Sequence, residues 1–231
     1  MNNKTIIFSA VIASIFFHSN VRPDAQRRKL AFSQIYQTNF WNGDESISGP
    51  GSTLKVTRTL QFMLPHIMEL LQINSLLDAA CGDCNWMLSL KLPISHYTGT
   101  DIVEDLINKN RQRYGNAEHT FICLDIAKDP LPRADAIICR DCLAHLSYDE
   151  IQETIANFKK SGATYLLATS YPIKENKRDI RSGGFRPVNL QIAPFNLPEP
   201  IMAFDELSAE PEMKSARKRM CVWQLDDIKF N

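Results

Sequence analysis

The 231-residue sequence has no surplus of either charge, since Lys+Arg and Asp+Glu each total 26. No net field draws such a chain toward an anionic polymer, so nucleic acid is not an expected partner. It also lacks an apolar run long enough to cross a bilayer comfortably. Residues 5–17, preceded by Lys4, have only the length of a signal-peptide core. No small-x-small cleavage site follows, because the next residues are His18-Ser19-Asn20-Val21-Arg22-Pro23. Arg22, Arg27, Arg28 and Lys29 lie after the run, so an inserted segment would keep the rest of the chain on the cytoplasmic side. A packed or dimer-contacting helix, a disordered extension, a membrane anchor and a cleaved leader all stay open for residues 5–17. Missing too is a dense cysteine framework: the six cysteines sit mostly inside apolar runs, as expected in a reducing, cytoplasmic setting. There is no internal repeat and no G-x-G-x-x-G.

What is present is enough apolar content, 44%, to bury one large core. Residues 1–29 divide off as an apolar segment with a basic linker, leaving 30–231 as one domain. Short apolar runs at 75–79, 97–101, 120–125, 134–139 and 164–169 alternate with helical patterns, clearest at 103–114 and 148–160. Residues 53–71 also carry helical spacing, which Pro65 must bend or interrupt. Strands alternating with helices imply a doubly wound α/β fold with a buried parallel sheet. The proline-rich stretch 171–200, with Gly183-Gly184, reads as a long ordered loop. Runs at 201–207 and 219–225 follow, close enough to pair antiparallel, which makes seven strands in a mostly parallel sheet.

In such a sheet the ligand crevice lies beyond the carboxyl ends of the strands. Asp78, Asp101 and Asp125 end the first three strands. Any one of them has an ordinary use as a helix cap or Asx turn. Together they surround a turn holding Gly82, and Asp101 lies 19 residues beyond that glycine, near the spacing of a carboxylate that binds a ribose diol. Asp125 is placed to accept from an adenine amino group. The turn retains only Gly82 and is poorly built for a pyrophosphate, which favours a cofactor without phosphates.

Leu76-Leu77-Asp78-Ala79-Ala80-Cys81-Gly82-Asp83, Gly99-Thr100-Asp101-Ile102, Leu124-Asp125-Ile126 and Ile138-Cys139-Arg140-Asp141 together resemble the successive motifs of class I S-adenosylmethionine-dependent methyltransferases. The resemblance covers about residues 53–169. It departs from the usual glycine pattern at Ala80 and Cys84. It implies strand order 3-2-1-4-5-7-6, S-adenosylmethionine as cofactor, and cofactor contacts at Asp78, Ala80, Gly82, Asp83, Asp101, Ile102, Asp125, Ile126 and Arg140. Trp41, residues 48–52 and parts of the 171–200 loop also resemble an uncharacterised bacterial subgroup, which names no acceptor.

Methyl transfer from a sulfonium needs mainly positioning, with a base where the acceptor is a hydroxyl or a protonated amine. Asp141 and His145 follow the fourth strand and are the catalytic candidates; a structural role for His145 is the alternative. Trp41 and Arg186 are the candidate acceptor contacts, Arg186 through a bidentate grip on an anion, or else through a surface pairing with Asp179 or Glu175. The acceptor is expected to be a small molecule, a sugar or a lipid headgroup.

Cys81-x-x-Cys84 and Cys139-x-x-Cys142 raise a rival reading, a zinc or thiol-redox protein. With 54 residues between the pairs, four thiolates would have to gather where the cofactor belongs, so packed cysteines and no metal are expected. A non-catalytic S-adenosylmethionine-binding module is the third reading.

Overall fold

The computed structural model describes residues 23–206 and 217–229. The apolar run at 5–17 lies outside them, and among the described residues no helix is long and apolar enough to cross a membrane. Helix α1 (Pro23–Thr38) opens on a proline, whose missing N–H is no loss in a first turn, with Asp24 beside the positive end of the helix dipole. The division expected at 29/30 falls inside this helix. Helix α2 (Arg58–Leu70) buries Leu60, Leu64, Ile67 and Met68 on one face. Pro65, expected to bend or break it, sits within a helix that continues past it. One backbone hydrogen bond is forfeited there, and four buried apolar side chains hold the segment in place.

The seven strands are β1 (Ser75–Ala79), β2 (His96–Asp101), β3 (His119–Cys123), β4 (Ala136–Cys139), β5 (Tyr165–Ser170), β6 (Met202–Asp205) and β7 (Arg219–Gln224). They form one sheet in the order β3-β2-β1-β4-β5-β7-β6, the order expected. The first five run parallel, and β7 is antiparallel to both β5 and β6. Helices α3 (Glu104–Tyr114) and α4 (Tyr148–Lys160) fill the expected intervals. α4 starts on a capping box, in which Ser147 Oγ accepts from the Glu150 amide and Glu150 accepts from the Ser147 amide.

The continuous apolar strands have a simple cause. Alternate residues face two different cores, one on each side of the sheet. Leu77, Ile137, Cys139, Leu166 and Ala168 pack with Ile151, Ile155 and Phe158 of α4. Leu76, Ala136, Ile138 and Leu167 pack on the other face with α2 and with Ile107 of α3.

Most strand boundaries differ by one or two residues from those expected. The third strand stops at Cys123, two residues short of Asp125, because the Asp125 side chain accepts from the Ala127 amide and its carbonyl from the Lys128 and Asp129 amides, which turns the chain. The sixth strand is Met202–Asp205, inside the expected run, whose last residue, Leu207, lies outside the described residues. The 171–200 segment is ordered without regular elements. Asn176 donates to the Asn189 and Ala193 carbonyls, and the segment buries its own Val188, Leu190, Phe195 and Leu197 in the α4-side core.

Phe158 is completely buried where α4 meets the sheet. Phe158→Ala should cost about 3–5 kcal/mol in chemical denaturation, the ordinary range for deleting a core aromatic ring.

Candidate functional site

The carboxyl ends of β1 and β2 present Asp78 and Asp101 on either side of the Gly82 turn. Gly82 has φ +56°, and a Cβ there would stand 2.2 Å from Ser48 Oγ, so glycine is demanded both by the backbone and by the segment lying on it. Asp101 accepts from the Gly82 amide at 3.2 Å through Oδ2 and from the Val103 amide at 3.0 Å through Oδ1. Each carboxylate oxygen keeps further acceptor capacity. Burial raises the Asp101 carboxyl above its ordinary range, against the pull of those backbone amides. Ile102 and Ala80 flank these acids and are partly exposed.

Asp78 accepts from the Tyr97 hydroxyl at 2.8 Å. Burial pushes its carboxyl up to about 7, with Asp101 adding to the rise and Tyr97 and Arg140 opposing it. Between the ordinary value of 3.8 and about 7, the folded chain therefore binds more protons at Asp78 than the unfolded chain does. Stability from this group falls as pH rises through that window. Thermal unfolding of Asp78→Asn should accordingly lose less stability than wild type between pH 5 and pH 7.5; equal slopes would show that Asp78 does not titrate there.

Asp83, expected to touch cofactor, is spent on protein contacts. It accepts from Ser46 Oγ at 2.9 Å, the Ile47 amide at 3.1 Å and Ser48 Oγ at 3.2 Å. This fastens residues 46–52 over the Gly82 turn. Trp41 backs the same segment, since a Cβ on Gly49 would lie 3.1 Å from Trp41 Cβ. Its ring lies 5.1 Å from that of His145.

Asp125 is also engaged. The Arg28 guanidinium of α1, buried to 1% exposure, grips it through Nη2 at 2.6 Å and Nε at 3.1 Å, and reaches Glu150 through Nη1 at 3.0 Å. Ile126, beside it, is buried in the α4-side core. Arg28→Ala would strand two carboxylates away from water. It should cost about 3–5 kcal/mol in chemical denaturation.

At the end of β4 four charges meet. Arg140, expected among the cofactor contacts, donates to Glu206 Oε2 through Nε at 3.1 Å and Nη2 at 2.8 Å, and to the Gly51 carbonyl at 3.0 Å. Its Nη1 lies 3.3 Å from Asp141. Lys218 pairs with Asp141 and lies 3.5 Å from Glu206. Glu206 and Lys218 were not singled out in the sequence, although Glu206 follows the end of a strand parallel to the first five, the rule that located Asp101. Lys218 precedes β7, and only a reversed strand brings its beginning to this edge.

The two catalytic candidates are placed differently. Burial alone would raise the Asp141 carboxyl, yet Lys218 and Arg140 overcome it and hold Asp141 well below the usual carboxylate range. A carboxylate so stabilised is a weak base. His145 Nδ1 lies 2.7 Å from the Gly184 carbonyl, which can only accept, so Nδ1 carries the proton and neutral His145 keeps a lone pair on Nε2. Burial lowers its pKa below the ordinary imidazole value, against the Gly184 carbonyl and Asp141. Arg186, 7% exposed, donates to the Ala144 carbonyl at 3.2 Å and lies over the Tyr148 ring at 4.5 Å, with Asp179 at 3.7 Å.

The C-x-x-C pairs do not converge. Cys81 and Cys84 pack on the α2 face of the sheet, Cys139 and Cys142 on the α4 face. All six cysteines are free, and burial raises the Cys81 and Cys139 thiols well above their ordinary value. Among the described residues no group of three or more His, Cys, Asp or Glu side chains could hold a metal ion.

Residues 76–161 match a family model described as a methyltransferase domain. This stretch contains the Gly82 turn, all three strand-end acids, Asp141 and His145. Over that stretch the chain is similar to methyltransferase domains. Solved structures agree in fold. The Burkholderia thailandensis 1,6-didemethyltoxoflavin N1-methyltransferase, with 1,6-didemethyltoxoflavin and S-adenosylhomocysteine bound, superposes with a TM-score of 0.61 at 16% identity over 90% of this chain and 89% of that one. The Bradyrhizobium japonicum N-methyltransferase NodS, with S-adenosylhomocysteine, gives 0.61 at 15% identity over 82% and 97%. The [4+2]-cyclase SpnF gives 0.57 at 15% identity over 87% and 97%, so this fold does not by itself dictate the reaction. No curated protein sequence matches the chain.

Proposed function

We propose that this domain transfers a methyl group from S-adenosylmethionine to a nucleophilic oxygen or nitrogen of a small acceptor, with His145 as general base. The supporting observation is the fixed tautomer of His145, whose ring lies against Trp41, which in turn backs the segment that Ser48 lays over the Gly82 turn.

S-adenosylmethionine supplies a methyl group on a positively charged sulfur, released by in-line displacement with the C–S electron pair returning to sulfur. Asp101 suits the cofactor's ribose hydroxyls, because its two oxygens each hold one backbone amide and retain room to accept again. Gly82 supplies the positive φ of the turn and ties it to Asp101 through its amide. His145 Nε2 takes the acceptor's proton as the new bond to the methyl carbon forms. Gly184 steadies the imidazolium that results by accepting from Nδ1. Asp141, locked to Lys218 and Arg140, serves as a fixed negative charge near the imidazole. Balanced charge over the whole chain favours a small acceptor over a polymer.

S-adenosylhomocysteine at about 100 times its Kd should stabilise the protein by about 2.7 kcal/mol, and Asp101→Asn should remove that gain; no shift in wild type would sink the assignment. His145→Gln should bind S-adenosylhomocysteine as wild type does, yet lose about 10²–10⁴-fold in turnover once an acceptor is in hand. Because His145 must be neutral to act and its pKa is lowered, the wild-type rate should rise with pH and level off before the ordinary imidazole value is passed.

A further inference from the structure

Beside the candidate base lies an open cavity of about 490 Å³ formed by the late loop. That size falls within the range of small-molecule sites. Three arginines line it, Arg178, Arg181 and Arg186, with Phe185, Ile180 and Pro187 supplying apolar wall. Arg178 and Arg181 are exposed, and their guanidinium groups make no ion pair or hydrogen bond among the described residues. Arg186 is 7% exposed, and its Nε and Nη2 have no hydrogen-bond partner. The carboxylate at hand is Asp179, 3.7 Å from Arg186 Nη2, and its Oδ1 is already taken by the Tyr148 and Ile180 amides. Glu150, the other carboxylate near Arg186, is already paired with Arg28, so the three arginines of the cavity outnumber the carboxylates free to answer them.

The apolar wall adds a shape. Phe185 is 56% exposed, and its ring lies 5.5 Å from His145 and 6.3 Å from Tyr171. Gly184, whose carbonyl fixes the His145 tautomer, lines the same cavity. Cation donors and an exposed ring therefore line the cavity, and the candidate base adjoins it through Gly184 and Phe185. An aromatic face presented together with guanidinium groups suits a planar molecule carrying an anion.

We infer that the acceptor is a small planar molecule bearing an anionic group. Its anion is held by Arg178, Arg181 and Arg186, its ring lies against Phe185, and its hydroxyl or amine faces His145. This rests on the reading of the domain as a methyltransferase with His145 as base, and it can be tested apart from it. The groups facing His145 are the Gly184 carbonyl, Asp141, Arg186 and Lys218, so an anion entering here meets a surface already rich in positive charge.

The test is a titration of the full chain, followed by backbone amide shifts of Ser182, Gly183 and Gly184, with 4-hydroxybenzoate and its uncharged analogue 4-hydroxybenzamide. The benzoate should bind about tenfold more tightly or better, with an affinity that falls as salt rises. In the Arg178→Gln/Arg181→Gln double variant, whose changes lie on exposed side chains, the benzoate should drop to the level of the benzamide. Equal binding of the two probes by wild type would overturn the inference, as would unchanged benzoate affinity in the double variant or benzoate shifts confined to another part of the protein. S-adenosylhomocysteine binding, measured separately, reports on the methyltransferase reading alone, so the failure of one is not mistaken for the failure of the other.

Discussion

The buried guanidinium of Arg28 is the constraint on which the arrangement of the site rests. A charge at this depth is tolerated only when it is paired and its donors are used, and Asp125 and Glu150 do both. A planar, forked donor is needed to serve two carboxylates on different elements, which a lysine could not match. The consequence runs outward along the polypeptide. Arg28 ties α1 to the turn after β3 and to the first turn of α4. Glu150 in turn accepts from Ser182 Oγ at 2.6 Å and 2.7 Å, which anchors the late loop. Next to Ser182, Gly183 donates its amide to the His145 carbonyl and lies so close to α1 that a Cβ there would stand 3.0 Å from Ile35 Cδ1. The loop that holds His145 is thus tied to α1, a helix more than a hundred residues earlier in the sequence.

The second organising feature is electrostatic. Arg140, Lys218, Asp141 and Glu206 form two positive and two negative groups in mutual contact. The cluster neutralises itself, and the division of labour between Asp141 and His145 follows. The carboxylate, held by two cations, gives up its basicity. The imidazole, whose pKa burial also lowers, stays neutral and keeps a lone pair on Nε2. Two groups only four residues apart in sequence therefore differ in charge, one anionic and one neutral.

Much of this could be read from the residues in order. Alternating apolar runs and helical spacing gave the layers, and a parallel sheet covered on both faces explains why those runs were continuous. Acids at strand ends led to Asp78 and Asp101, because the position of a ligand crevice follows from topology. The partners those acids would choose were not legible. Asp83 and Asp125 lie where the motifs place cofactor contacts, but the structure joins them to Ser46, Ser48 and Arg28, residues 35 or more positions away. Pro65 is the opposite case, where a local rule pointed to a break and tertiary packing overrode it. Lys218 stayed hidden because its value depends on strand direction.

That direction has a consequence in time as well as in space. Strand β7 lies between β5 and β6, and Lys218, just before it, completes the charge cluster at the end of β4. During synthesis the cradle at Gly82 and Asp101 can form from residues already made, whereas Arg140 and Asp141 wait for their partners until almost the whole domain has emerged. Until then β5 is an open edge and the cluster holds one cation too few. The charge cluster at the end of β4 is therefore completed by a residue next to the same strand that covers the edge of β5.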